Sequence, residues 1–291
     1  MVDSHHNLLI GATGNIGQQV VKTLLSKDIK TTVFARNAEK VKELFGDSKS
    51  LTVVQGDYDN LEPYSKTIQG HARLFLLLSD LQNMQRLATA FAKLAYEAGV
   101  SQIVHLSSMT IRSPWRSNFI GDVHRRAEEA ILAIPNRRSY VALRPTSFFT
   151  NHLWQEKPSI QSKSMFSSPM PGSSRRSWIS IRDIADLASI VLQDPIEKHF
   201  DAVYELASEV LTQDERAKIF TKVLGKPITH TQVDPETTYN MFISIGMPHN
   251  IAYCVASFTD EPGFTPGLSI LLGRKPESFE EWLQQNKSHF L

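Results

Sequence analysis

Hydrophobic positions in the first half of the chain follow two alternating periods. Short apolar or β-branched runs at Leu8–Ile10, Thr31–Ala35, Leu51–Val54, Ala72–Leu78, Gln102–Leu106 and Ser139–Leu143 read as strands. Between them lie stretches with apolar residues three and four apart. One holds Ile16, Val20, Val21, Leu24 and Leu25; another holds Met84, Leu87, Ala88, Phe91, Leu94, Ala95 and Ala98. These spacings predict helices over 15–27 and 82–98, with further helices near 37–46 and 121–133. Gly99 stands where the long helix should stop. Strands alternating with helices of this length require crossover connections and a parallel sheet covered on both faces, an α/β doubly wound architecture.

The second half breaks this rhythm. Residues 157–177 are rich in Ser, Pro, Gly and Met and read as an irregular crossing or lid. A strand end then runs into a helix over 179–193, a strand covers Ala202–Leu206, and a helix covers Thr212–Leu224. The remainder, 226–291, is helix-prone with Pro and Gly interruptions, and closes on an amphipathic stretch carrying Phe279, Trp282 and Leu283.

Composition narrows the function classes. At 291 residues, 41% hydrophobic and 21% charged, the chain can bury a core without disulfides or structural metal. A net charge of +1 gives no basic field for nucleic acid or an anionic membrane. Cys254 is the single cysteine, so no intrachain disulfide forms and a reducing cytoplasmic setting is expected. The N-terminus lacks the regions of a signal peptide, and the run Leu74–Leu78 is far too short to span a bilayer. No metal site is expected.

In doubly wound sheets, ligands bind outside the carboxyl ends of the strands. The residues there are Gly11–Gly17, Arg36, Asp57, Leu78-Ser79, Ser107-Ser108 and Pro145-Thr146-Ser147. The first is a glycine turn, Gly11-Ala12-Thr13-Gly14-Asn15-Ile16-Gly17, placed between a strand and an amphipathic helix as a dinucleotide fingerprint requires. Gly11 permits the tight turn, Gly14 lets backbone approach a pyrophosphate, and Gly17 lets helix and strand pack closely. The pyrophosphate would rest on N–H groups at the helix N-terminus, from Thr13 through Ile16. The alternative is a purely structural strand-to-helix turn. The second strand ends Phe34-Ala35-Arg36-Asn37, with Lys40 one turn on. Arg36 offers a fork for a 2′-phosphate where NAD sites place a carboxylate, so NADP(H) is expected rather than NAD. Asp57 is either an adenine contact or a helix cap. The organisation that follows is a Rossmann-type NADP-binding domain over 1–156, to which 178–208 returns. A smaller, mostly helical substrate-binding or lid part covers 157–177 and 209–291.

The G-x-x-G-x-x-G spacing resembles that of extended and atypical short-chain dehydrogenases/reductases. Further stretches resemble the NmrA-like branch of that superfamily: Ala35-Arg36-Asn37, Gly56-Asp57, His105-Leu106-Ser107-Ser108, His124–Glu128, Leu143–Asn151, Ile181–Ala185 and Lys275–Trp282. The resemblance implies a Rossmann-type fold and a nicotinamide cofactor. It also exposes a departure. Related dehydrogenases use a Tyr-x-x-x-Lys pair; anchored on Glu128, the lysine position is His124 and the tyrosine position is Ile120, which cannot transfer a proton. The superfamily's serine corresponds to Ser108 or Ser107. His124 either binds the nicotinamide ribose and relays a proton, or simply hydrogen-bonds within its helix. Asp122 is the fallback acid.

Three functions fit. The first is an NADPH-dependent reductase acting on an activated apolar small molecule: an iminium, quinone or enone. Phe119, Ile120, Phe149, Asn151, Met165, Phe166 and Trp178 are its candidate substrate residues. The second is an NADP(H) sensor that regulates a protein partner without catalysis. The third is a non-redox isomerase using His124 or Asp122.

Overall fold

The computed structural model describes residues 3–257 and 267–291. Strands run over Asp3–Ile10 (β1), Thr31–Ala35 (β2), Leu51–Gln55 (β3), His71–Leu76 (β4), Gln102–Leu106 (β5) and Ser139–Pro145 (β6). They continue with Ser147–Phe148 (β7), Met165–Ser168 (β8), Arg175–Ile179 (β9), Val203–Leu206 (β10), Glu209–Thr212 (β11) and Thr229–Gln232 (β12). The helices are Asn15–Ser26 (α1), Ala38–Phe45 (α2), Glu62–Thr67 (α3), Met84–Glu97 (α4), Phe119–Leu132 (α5), His152–Gln155 (α6) and Lys157–Lys163 (α7). Ile181–Val191 (α8), Gln213–Leu224 (α9), Pro235–Ser244 (α10), His249–Ala256 (α11), Leu268–Leu272 (α12) and Phe279–Asn286 (α13) complete the set. None of the described helices is long and apolar enough to cross a membrane.

The chain divides into two compact units. The first comprises 1–112, 121–144 and 184–204; the second comprises 113–120, 145–183 and 205–291. In the first, seven strands form one sheet in the order β10-β6-β5-β4-β1-β2-β3. The pairs β1–β2, β2–β3, β1–β4, β4–β5 and β5–β6 are all parallel. Strand order reverses between β1 and β4, which is where a doubly wound sheet opens its ligand crevice. Of the seven positions its period singled out, α4 buries Met84, Leu87, Ala88, Phe91 and Ala95, while Leu94 and Ala98 are partly buried. Tyr64 of α3 meets Phe91 edge to face at 4.8 Å and donates its hydroxyl to the Phe91 carbonyl at 3.0 Å. β4 and β5 are buried along their whole length, as central parallel strands are. Their polar members have partners: Arg73 donates to the carbonyls of Leu192 and Asp194, both at 2.6 Å, closing the end of α8.

The second unit holds two small sheets, β11-β9-β7 and β12-β8, beside its helices. Residues 157–177 are therefore α7, β8 and part of β9, not an irregular crossing. β8 completes itself by pairing parallel with β12, Met165 opposite Thr229, a distant partner that no local pattern announces. Beyond 113–120, the unit resumes at Pro145 rather than at 157, with β7 paired to β9, Ser147 opposite Trp178. Helices do fill much of 226–291, but the part of that expectation covering 258–266 lies outside the described residues. The core here is aromatic: Phe149, Phe166, Trp178, Phe220, Phe279 and Phe290 are fully buried.

Candidate functional site

The turn after β1 is built by its glycines. Gly11 has φ +81°, and a Cβ there would meet the Leu77 carbonyl oxygen at 2.5 Å. A Cβ on Gly17 would lie 2.2 Å from the Gly11 carbonyl oxygen and 2.7 Å from Ala12 Cα. Gly14 differs: its Cβ would meet nothing nearer than the Gly11 oxygen at 3.5 Å. Gly14 is also the N-cap of α1, with no side-chain cap and no acid in the first turn. Gly14 and Asn15 are exposed, whereas Ile16 and Gly17 are buried against the sheet. The positive end of the α1 dipole thus faces open space at the one glycine where backbone can be approached. A dinucleotide's pyrophosphate fits this cradle. Gln18, which sequence reasoning missed, donates to the Thr13 carbonyl at 2.9 Å and steadies the turn.

At the end of β2, Arg36 and Lys40 are exposed. Asn37 caps α2: its side-chain oxygen accepts from the Lys40 N–H at 3.0 Å. Asp57 accepts the N–H groups of Asp59 and Asn60, each at 2.9 Å, in a turn that ends before α3; the N-cap of α3 is Leu61, so Asp57 does not cap that helix. Burial raises the pKa of the Tyr58 hydroxyl, and the Arg36 charge partly opposes that rise. Past β4, Leu78 is buried and Ser79 exposed.

The ends of β5 and β6 enclose a buried polar cluster with α5. Arg144 grips Glu128 with two hydrogen bonds, from Nε to Oε1 at 2.9 Å and from Nη2 to Oε2 at 2.5 Å. Burial pushes the Glu128 carboxyl up, but Arg144 and the Ser107 hydroxyl outweigh it and hold the carboxyl low. His105 and Tyr140 share a 2.7 Å hydrogen bond, and burial draws the His105 pKa down to about 4. His124 is drawn down to about 3, by burial first and then by His105, with Glu128 opposing. His124 is therefore neutral at pH 7: it can accept or donate a hydrogen bond, but a proton relay titrating near neutrality does not fit its surroundings. Asp122 pairs with Arg126 at 2.8 Å. Ser108 shares a hydrogen bond with the Thr110 hydroxyl at 2.7 Å. Gly121 is a further residue the sequence did not flag: a Cβ there would sit 2.2 Å from the Thr110 carbonyl oxygen.

The depressed His124 pKa has a consequence for stability. Its folded value lies below the unfolded value of about 6.5, so the unfolded chain takes up the proton first. Stability should fall as pH drops below about 6.5 and go on falling towards the folded value. At pH 5 this amounts to about 2 kcal/mol for one such histidine. Thermal melts from pH 7 to pH 5 should show a shallower decline for His124→Asn than for the parent; parallel declines would refute the assignment.

In the second unit, Phe149, Phe166 and Trp178 are fully buried in the aromatic core, so they are core residues, not exposed pocket walls. Apolar type alone does not separate the two. Phe119, Ile120, Asn151 and Met165 are partly buried. Thr146 donates its N–H to the Leu206 carbonyl at 3.0 Å, and Pro145 is buried beside it. Ser147 accepts from Arg176 Nη2 at 2.9 Å. A cavity of about 40 Å³ opens within this unit, with Glu156, Arg176 and Arg216 among its lining. Sequence reasoning missed all three, since nothing local ties Glu156 to Arg216.

The model of the NmrA-like family matches residues 5–283. An NAD(P)H azoreductase of Xenophilus azovorans is 23% identical over 97% of this chain and 98% of its own. An NADPH-dependent quinone oxidoreductase of Escherichia coli, solved with NADPH, superposes with a TM-score of 0.82 at 23% identity, covering 97% of this chain and 99% of that one. A Citrobacter triphenylmethane reductase complexed with NADP(H) gives the same TM-score and identity, over 96% and 99%.

Proposed function

This chain belongs to the NmrA-like family, and from that premise we propose that it is an NADPH-dependent reductase. Its substrate would be an activated apolar small molecule of the quinone, iminium or enone kind. The observation that carries the reading is the bare N-terminus of α1 at Gly14, with Arg36 and Lys40 exposed beyond β2. The similarity to an azoreductase, a quinone oxidoreductase and a dye reductase supports the activity class.

The first-turn N–H groups of α1 would hold the pyrophosphate. Arg36 and Lys40 would read the 2′-phosphate, which Arg meets with a planar fork. When bound, the reduced nicotinamide supplies the hydride. The polar groups of β5 and α5 offer hydrogen bonds but no strong acid: His124 is neutral, and Ile120 stands where a dehydrogenase tyrosine would be. Such a site suits acceptors whose own electron deficiency draws hydride without concerted proton donation.

The test is the loss of NADPH absorbance in the presence of a quinone, an azo dye or an iminium. Acceleration with at least one is expected; none with all three overturns the reading. Arg36→Glu should raise KM for NADPH about tenfold or more while leaving NADH nearly unchanged, a cost of one charge-assisted contact. An equal effect on both cofactors would remove Arg36 from phosphate recognition.

A further inference from the structure

The turn that follows β5 carries two hydroxyl groups that share a single hydrogen bond. Ser108 and Thr110 are both partly buried, and their side-chain oxygens lie 2.7 Å apart. The Thr110 N–H also donates to Ser108 Oγ, at 3.2 Å. Each hydroxyl has one hydrogen to give and can accept twice. The bond between them uses one of the two hydrogens, whichever way it runs. The other has no acceptor among the described residues. Cooperativity decides where it sits. If Ser108 donates to Thr110, the bonds run head to tail from the Thr110 N–H through Ser108 Oγ to Thr110 Oγ1, and each polarises the next. In the opposite sense Ser108 collects both donors and that reinforcement is lost. The remaining hydrogen therefore belongs to Thr110, a residue outside every stretch that carries the family resemblance.

The turn is held in place from α5. A Cβ on Gly121 would lie 2.2 Å from the Thr110 carbonyl oxygen, so the helix presses directly on this backbone. Arg125 donates to the Ile111 carbonyl, and the Ile111 N–H donates to the Ser108 carbonyl at 3.3 Å. A fixed donor with a hydrogen to spare thus stands beyond the carboxyl end of a central parallel strand, where sheets of this kind bind ligands.

We propose that the Thr110 hydroxyl donates a hydrogen bond to the carbonyl oxygen of the acceptor, and that Ser108 is the positioning residue that orients and polarises it. The proposal rests on the reductase reading and narrows its substrate class to neutral carbonyl acceptors, quinones and enones. When such a molecule is reduced by hydride and NADPH is oxidised, the carbonyl electron pair ends as negative charge on oxygen. The Thr110 hydrogen meets that charge, and water supplies the proton that completes the product. An iminium nitrogen has no lone pair to take the hydrogen, so the contact gives it nothing.

Thr110→Val keeps the shape of the side chain and removes the hydroxyl. Steady-state rates with NADPH are compared for 2-methyl-1,4-naphthoquinone, which is neutral, and N-methyl-3,4-dihydroisoquinolinium, which is a cation. For the quinone, kcat should fall at least about tenfold with KM little changed, as on losing one preorganised donor. The iminium should be reduced at the parental rate. Thr110→Ser should restore the quinone rate. Ser108→Ala should cost less than Thr110→Val, since it leaves the Thr110 hydroxyl in place. A second readout needs no turnover: with NADP+ in place of NADPH, the infrared carbonyl band of the bound quinone should move to lower wavenumber in the parent but not in Thr110→Val. Equal losses for quinone and iminium, a larger loss in Ser108→Ala, or the same carbonyl band in parent and Thr110→Val would each overturn the proposal. A parent protein that reduces neither acceptor would overturn the reductase reading, while the infrared band would still decide the contact.

Discussion

Gly17→Ala is expected to abolish dinucleotide binding and to destabilise the fold, whereas Gly14→Ala is expected to abolish binding alone. The new methyl at position 17 would meet only backbone, the Gly11 oxygen at 2.2 Å and Ala12 Cα at 2.7 Å, and backbone cannot rotate aside. Relief requires α1 to move off β1, an overpacking cost of about 1–3 kcal/mol. The same shift would displace the N–H groups at the helix start. At position 14 the methyl meets only the Gly11 oxygen, at an ordinary 3.5 Å, and φ is −82°, so no strain arises. Stability should stay within about 0.5 kcal/mol of the parent. The methyl nevertheless stands in the space a pyrophosphate would take, and affinity should fall at least about a hundredfold, roughly 2.7 kcal/mol. Thermal melts and titration with NADPH, followed by nicotinamide fluorescence, separate the two effects. Parental affinity in Gly14→Ala would mean that the cradle at α1 is not where the cofactor lies.

Arg216→Leu is expected to give the largest loss of stability among single side-chain changes. It removes the hydrogen-bonded partner of Glu156 and leaves a buried carboxylate with only the weaker influence of Arg176. It also strips the cation from the face of Phe166 and one of the two cations over Trp178, where Arg176 remains at 4.9 Å. Breaking a buried pair from one side costs about 3–5 kcal/mol. The contrast is Arg137–Asp201, a 2.8 Å pair with both side chains partly exposed. Arg137→Leu should cost no more than about 1 kcal/mol. Urea unfolding of both variants measures the difference directly, and a loss below about 1 kcal/mol for Arg216→Leu would show that Glu156 is solvated or repaired.

What could be read from the chain was what its local pattern dictates. β2 and β5 begin and end where their β-branched and apolar runs do, and α4 buries five of the seven residues its period selected. Gly11 and Gly17 were legible because their constraint lies within the turn itself. β7, β8, β11 and β12 were not, because each is short and exists by virtue of a partner far along the chain. Glu156 and Arg216 are sixty positions apart, and a charged residue in a helix ordinarily signals a solvated face. Phe166 and Trp178 looked alike as pocket wall and as core, since hydrophobicity is the requirement for both. His124 was found by alignment to a motif, but its neutrality follows from burial and from His105, which only the folded chain reveals.

The order in which the polypeptide visits its two units bears on how it can be made. The chain passes between them five times, at 112/113, 120/121, 144/145, 183/184 and 204/205. β4 is finished early in synthesis, yet the carbonyls of Leu192 and Asp194 that accept from its Arg73 lie 119 and 121 positions further along. The nascent N-terminal half must therefore wait for those acceptors, with a sheet edge open for β10. Such a chain does not fold domain by domain as it emerges. Cutting it at any one boundary gives no self-sufficient nucleotide module, and a fragment ending near residue 150 should be a client for chaperones rather than a usable tool.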